Sequence, residues 1–527
     1  MNKKVIKSIV IVLIFIMTFG LRIYKLGEIP HGINIDEAGM AYDAFCLLHF
    51  RVDRSLNQLP VYFVNFGGGQ SVLYGYLTSI CIAIFGFTLK SFRLTQVIIS
   101  MIACIVGYFM FKKHIDEKAA AIILLLIAIN PWNIMASRWG LDCNLLAPMM
   151  IISMFFLLRA EKWYDYIITG VALGVTLYTY VLSYIIIPLF LLFVLIYMLY
   201  TKKITIKKII IMGAVIFVFA IPLILMILVN YGVLNQINWI ITIPKLPNYR
   251  NSEISISNFV KNISRLDLLF VYDELPFNTL REYGTLYLFA IPVAFAGLII
   301  EVYRMIKNIK EKKFEINTVF VILFIPSFIF MMFIQDVNVS KANILYYPLI
   351  FFEYSALKLL YNLQNKKIKD IEETHLKIKI IIPRIVLCIL IMLYVFNFLS
   401  FTNYYFNQYA IDYEEQQFFE DDLVEAIKMT NGKAEYRDKK VYIYTDAREA
   451  YIYTLYANPI SPYDFNATRH GDNNSYGRFE ILDTKNRFVD ENGVYIVRVD
   501  TDFVYELAKY YGFNYEQVDT YMIMFKQ

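Results

Sequence analysis

At 527 residues the chain could hold several globular domains, but 58% of it is hydrophobic and only 18% is charged, against roughly 45–50% and about 25% in soluble domains. Its apolar residues gather into nearly charge-free runs long enough to cross about 30 Å of hydrocarbon, so a soluble assembly of domains is excluded. The net charge of +5 is slight for this length, and its lysines sit in short connectors, which reports membrane orientation and implies no nucleic-acid partner.

The first run, Ile6 to Gly20, follows Lys3 and Lys4. No small-residue cleavage pattern follows it, so it reads as a retained first span. Further apolar stretches lie near 71–88, 94–111, 119–136, 145–158, 166–180, 183–200, 208–229, 285–303, 318–334, 343–361 and 380–401. The connectors from Lys112 to Lys118, Lys202 to Lys208, Arg304 to Lys313 and Lys366 to Lys379 are Lys-rich, and the positive-inside rule puts them in the cytoplasm with Lys3, Lys4 and Lys7. All five agree only if 71–88 does not cross. That stretch is also the least apolar, carrying Ser71, Tyr74, Gly75, Tyr76, Thr78, Ser79 and Gly86. It is expected to be a helix at the outer interface, leaving about eleven spans with the N-terminus inside and the C-terminus outside.

On this map the outer face of the cell membrane receives the loop from about Arg22 to Arg93, the turn Ser137 to Asn144, the loop Tyr231 to Tyr283, the short loop Asp336 to Lys341, and everything after Thr402. Residues 1–401 form a membrane domain and 402–527, richer in Asp, Glu, Asn and Tyr, an extracytoplasmic α/β domain. In that domain "EEQQFFEDDLVEAIKMTNG" has an amphipathic helix pattern closed by glycine, while "KVYIYT", "GVYIVRVD" and "YMIMFK" read as strands. No catalytic motif stands out there, so it is expected to dock substrate or stabilise the fold. Cys46 and Cys143 are the loop cysteines, and their spacing suits neither a disulfide framework nor a zinc site.

The outer segments hold the residues that can carry chemistry. "HGINIDEAGMAYDAF" places Asp36 beside Glu37 shortly after the first span. Taken alone the pair favours a solvated helix start, where acidic residues are at home. The alternative is a general base with a neighbour that tunes it. Cations on the same side shift the balance: Arg93 heads a span, Arg138 lies in "SRWGLDCN", Arg250 in the long loop, and Lys341 before another span. Each is alone explained by headgroup anchoring, but together they suit a phosphate-linked donor whose leaving group they would stabilise.

The order of an acidic "DE" after the first span, "FGFTLKSFRL", "NPWNIMASRWGLD", "GVALGVTLYTYVLSY" and "YGTLYLFAIPVAFAGL" resembles bacterial GT-C glycosyltransferases. More narrowly, it is similar to the family 39 protein mannosyltransferase and aminoarabinose transferase group, over about residues 1–400. The resemblance implies a GT-C-like polytopic α-helical fold and an inverting transfer of sugar from a polyprenyl-phosphate carrier to an acceptor hydroxyl, with protein, a cell-envelope glycan or a glycolipid as acceptor. It matches Asp36 to the catalytic base, Glu37 to its acidic companion and Arg93 to an arginine of the lipid phosphate, with Arg138 in a less defined polar position. Lys341 departs from the family, where arginine is common; lysine neutralises phosphate but lacks the bidentate fork.

The scheme requires no cofactor, although the paired carboxylates and Asp142 could supply oxygen ligands to a divalent ion. Tyr178, Tyr180 and Tyr184 read as an interface belt more readily than as a sugar platform, and His31 and His49 as loop residues. A transporter or flippase is the alternative class, disfavoured because ionisable residues are sparse inside the spans and paired broken helices are not evident. A non-catalytic envelope-assembly protein would tolerate loss of Asp36 and Glu37.

Overall fold

The computed structural model describes residues 3–249, 253–364, 374–411, 418–471 and 473–526. In chain order its helices run α1 (Lys3–Ile23), α2 (Ile35–Phe50), α3 (Leu73–Phe85), α4 (Leu89–His114), α5 (Glu117–Ile129), α6 (Pro131–Ala136), α7 (Asp142–Arg159), α8 (Trp163–Thr176), α9 (Ser183–Tyr200), α10 (Ile206–Asn230), α11 (Ile256–Ile263), α12 (Asp267–Phe270), α13 (Ala290–Lys310), α14 (Ile316–Met331), α15 (Tyr346–Gln364) and α16 (Thr374–Asn407). Every one of the eleven expected spans coincides with a helix. Among the described residues α1, α4, α7, α9, α10 and α16 are long and apolar enough to cross a membrane on their own. The helices α5, α8, α13, α14 and α15 are shorter or less apolar. The chain is a multi-pass membrane protein.

Two stretches differ in detail from the hydropathy reading. The stretch 71–88 yields only the 13 residues of α3, about 20 Å of helix at ~1.5 Å per residue, which is short of the hydrocarbon thickness. The run 119–136 is broken at Asn130, whose Oδ1 accepts the Asn133 N–H at 2.9 Å to start α6, with Pro131 in the first turn. A proline at this position has no amide to continue α5, so the chain restarts instead.

The described residues divide into two compact units that do not follow chain order. Residues 1–26, 93–224 and 250–408 form the membrane-helix unit. Within it α13 turns the stripe Ala290, Ala294, Gly297 and Glu301 inward, the spacing of one helix face. A Cβ at Gly297 would lie 1.8 Å from the Phe352 carbonyl oxygen of α15. Only glycine permits that approach, and small residues at such positions are the usual way membrane helices pack closely.

The second unit combines residues 27–92, 225–249 and 409–527. The first loop contributes α2, α3 and the hairpin β1 (Tyr62–Asn65) and β2 (Gly68–Ser71); β3 (Ile237–Asn238) and β4 (Thr242–Ile243) form a second short hairpin. The C-terminal segment folds as a mixed sheet of β5 (Val441–Tyr444), β6 (Ser475–Tyr476), β7 (Phe479–Leu482), β8 (Val494–Arg498), β9 (Asn514–Val518) and β10 (Tyr521–Phe525), in spatial order β6-β7-β5-β8-β10-β9. The three expected strands are β5, β8 and β10. Central β5 runs parallel to β7 and β8, and every residue of it is buried, which accounts for its unbroken apolar run. Tyr442, Tyr444, Tyr495, Phe503 and Phe513 fill one core on this sheet. The expected amphipathic helix spans Asp422–Gly432; residues 412–417 lie outside the described residues. The membrane helix α16 continues past the expected boundary at 401 to Asn407.

Candidate active site

Asp36 and Glu37 occupy the first turn of α2. Asn34 caps that helix, its Oδ1 accepting the Asp36 N–H at 3.0 Å, while Glu37 Oε2 accepts the Asn34 N–H at 3.2 Å. This reciprocal arrangement is a capping box, which satisfies two otherwise orphaned amides. The two acids therefore differ in setting: Glu37 is fully buried and used by the cap, whereas Asp36 is half-buried.

The helix start is pinned by the C-terminal segment of its own unit. Ile33 and Glu420 exchange backbone hydrogen bonds of 3.4 and 3.0 Å, Asn34 Nδ2 donates to the Phe418 carbonyl at 2.9 Å, and His31 Nε2 lies 3.1 Å from Asp421. The charges of Glu420, Asp36 and Glu37, after burial itself, raise the hydroxyl pKa of Tyr453, so these acids share one electrostatic neighbourhood. Asp36 Oδ1 accepts from Asn65 Nδ2 at 3.0 Å.

The membrane-helix unit gathers arginines. Arg22, Arg93 and Arg138 are among the largest fully buried side chains. Arg138 donates to the Leu21 carbonyl at 2.9 Å and the Lys25 carbonyl at 3.2 Å, with Phe406 5.0 Å from its guanidinium carbon. It thereby closes the C-terminal end of α1, where a cation meets the negative end of the helix dipole. Burial lowers its pKa, Tyr405 opposes that, and the charges of Arg93 and Arg22 lower it further. Arg93 and Arg138, both expected from the sequence, thus share one field. Arg22 was not expected there; its signal is a cation ending a span that is uncharged from Ser8 to Leu21. Arg22 donates to the Thr18 carbonyl at 2.8 Å and to Asn133 Oδ1.

Lys341 belongs to a separate loop, its Nζ donating to the Gln335 carbonyl at 2.7 Å. That loop is held by Asp273, which accepts the Val339 N–H at 2.9 Å and Asn278 Nδ2 at 2.8 Å. Arg250 lies outside the described residues. Asp142 opens α7 and accepts the Cys143 N–H at 2.9 Å. No cluster of three or more His, Cys, Asp and Glu suited to a metal occurs among the described residues. Tyr178 donates to the Phe219 carbonyl at 2.8 Å, a packing role, and His49 packs against the Phe45 ring at 4.6 Å.

A family model described as dolichyl-phosphate-mannose-protein mannosyltransferase matches residues 70–226. No curated protein matches the sequence. Among solved structures, ArnT from Cupriavidus metallidurans bound to undecaprenyl phosphate is similar at a TM-score of 0.52 and 12% identity, covering 99% of this chain and 97% of that one. The archaeal oligosaccharyltransferase AglB from Archaeoglobus fulgidus, in complex with an inhibitory peptide and a dolichol-phosphate, is similar at a TM-score of 0.50 and 13% identity, covering 97% of this chain and 71% of that one. The same archaeal enzyme tethered to an acceptor peptide gives a TM-score of 0.52 at 13% identity. The chain shares the fold of these solved structures, a multi-pass helical membrane protein with a C-terminal sheet domain. More particularly, the chain is similar to the ArnT and protein mannosyltransferase group.

Proposed function

We propose that the chain is an inverting membrane glycosyltransferase that takes a sugar from a polyprenyl-phosphate carrier and passes it to an acceptor hydroxyl on the extracytoplasmic face of the cell membrane. Asp36 receives the hydroxyl proton as that oxygen bonds to the anomeric carbon. The bond from that carbon to the phosphate oxygen breaks, and its electron pair leaves with the polyprenyl phosphate. Arg93 and Arg138, with Arg22, carry the positive field for that leaving group, and Lys341 and Arg250 are secondary phosphate contacts. The observation that carries this reading is the convergence of three buried guanidinium groups in one charge field, in a chain of GT-C fold that also carries an acidic helix start. The neighbours' bound undecaprenyl and dolichol phosphates and the mannosyltransferase match support a lipid-linked donor. Charge in the connectors supports a cytoplasmic N-terminus and an external sheet domain. The acceptor is a protein or a cell-envelope glycan or glycolipid.

The test is purified full-length protein in lipid nanodiscs with radiolabelled polyprenyl-phosphate mannose and an envelope extract as acceptor. Asp36→Asn is expected to retain the parent melting temperature and lose transfer by roughly 100-fold or more, the usual worth of a general base. Undiminished transfer in that variant removes Asp36 from the role.

A further inference from the structure

The hydrogen bond on Asp36 is the end of a longer chain of contacts inside the second unit. Asn65, the last residue of β1, is buried and donates through Nδ2 to Asp36 Oδ1 at 3.0 Å. Its other amide atom, Oδ1, accepts from Arg54 Nη2. A guanidinium has donors and no acceptor, whereas an ionised carboxylate has acceptors and no donor. Arg54 therefore decides which way the Asn65 amide points: oxygen toward the arginine, nitrogen toward Asp36. A donor fixed on one carboxylate oxygen also fixes the rotation of the carboxylate, and with it the direction of the second oxygen.

Arg54 is itself held from several sides. Its Nη2 lies 3.3 Å from Asp43 Oδ2, both side chains being almost fully buried, and its backbone N–H donates to Asp43 Oδ1 at 2.9 Å. Phe66 lies 5.3 Å from the guanidinium carbon. Asp53 fixes the preceding turn by accepting the Ser55 and Asn57 amides, each at 2.8 Å, and Asn466 Nδ2 of the C-terminal segment donates to the Arg54 carbonyl at 2.8 Å. On α2, Gly39 makes the room: a Cβ there would meet Nη2 at 2.9 Å, Nη1 at 3.0 Å and Asn65 Oδ1 at 3.1 Å. Asp36 and Asp43, two helical turns apart, and Gly39 between them lie on one face of α2. The network therefore begins and ends on the same helix.

A buried ion pair is a weak source of stability, since desolvation offsets much of its attraction and apolar replacements are often neutral or better. Burial raises the pKa of Asp43 and the Arg54 charge opposes that rise, so the pair is held at a cost. Its geometry nevertheless controls a side chain that touches Asp36.

We propose that Asp43, Arg54 and Asn65 form a positioning relay that orients the Asp36 carboxylate, with Gly39 as the space that lets the relay reach it. None of the three need touch substrate. This rests on the reading of Asp36 as the base. Glu37, Glu420, Tyr453 and Tyr521 are other titratable groups of the unit in that electrostatic neighbourhood; they are left intact in the test.

The experiment measures Asp36 directly. Full-length protein in nanodiscs is treated with a carbodiimide, which modifies protonated carboxyl groups, and labelling of Asp36 is quantified by mass spectrometry across pH. Asn65→Asp is isosteric and keeps an acceptor for Arg54, but it replaces the donor with a carboxylate. Its labelling midpoint is expected to rise by at least about one pH unit. Arg54→Gln is expected to raise the midpoint by a smaller amount, because a neutral amide no longer dictates the Asn65 orientation, and Arg54→Lys, a donor-only head, to bring it back toward the parent. Arg54→Gln leaves Asp43 buried without its cation and is expected to melt lower than the parent, so Asn65→Asp and Arg54→Lys, expected to melt within a few degrees of the parent, separate the relay from general loosening. An Asn65→Asp midpoint equal to the parent's overturns the relay. Asp36→Asn with undiminished transfer overturns the base assignment instead, and leaves the labelling result to report orientation alone.

Discussion

Glu37 accepts the backbone N–H of Asn34 at 3.2 Å, so one member of the acidic pair closes its own helix start while its neighbour Asp36 is joined to Asn65. Adjacent carboxylates on a helix point about 100° apart, and here the divergence separates a structural bond from a candidate catalytic one. Glutamine preserves the capping geometry and alanine does not. Glu37→Gln is expected to melt with the parent, and Glu37→Ala to lose about 1 kcal/mol of stability, the usual worth of a cap. Transfer in Glu37→Gln then isolates the effect of the charge. A fall of roughly tenfold, about 1.4 kcal/mol of barrier, is expected if the charge supports Asp36; a full rate confines Glu37 to the cap.

Asp273 gives a pH prediction. Burial pushes its carboxyl up from 3.8 to about 6, opposed by the Val339, Asn278 and Leu275 donors. Because the folded value is the higher one, the folded state holds the extra proton. The associated stability is complete below about pH 4 and is lost as pH rises through about 6. Its ceiling is about 3 kcal/mol, since each pKa unit is worth about 1.4 kcal/mol. Thermal melts should therefore show the parent more stable at about pH 5 than at about pH 7.5, with a smaller difference in Asp273→Asn.

Gly297 tests the helix packing. A Cβ added there would stand 1.8 Å from the Phe352 carbonyl oxygen, so Gly297→Ala forces α13 away from α15. Overpacking of this kind costs about 1–3 kcal/mol, and Gly297→Leu should prevent recovery of folded protein. Melting temperature and yield from membranes measure both; an unchanged Gly297→Ala melt would show that the two helices separate freely.

The sequence by itself determined where the apolar helices lie, because hydrocarbon demands continuous apolar length and that demand is written residue by residue along the chain. It also determined that 71–88 falls short, since Ser71, Thr78 and Ser79 dilute the run, and that β5, β8 and β10 are strands. It marked Asp36 and Glu37 as a pair but could not divide their duties, because a cap depends on backbone dihedrals at Asn34. Tertiary structure alone decided that Arg22 joins Arg93 and Arg138, that Asn133 and Tyr347 meet at 3.1 Å, and that Arg54 and Asn65 reach back to α2. Those relationships, a shared charge field among the arginines and hydrogen bonds for the rest, join residues that are apart in the chain. Hydropathy and periodicity record which solvent a segment meets, and carry no information about which partner a buried polar atom will find.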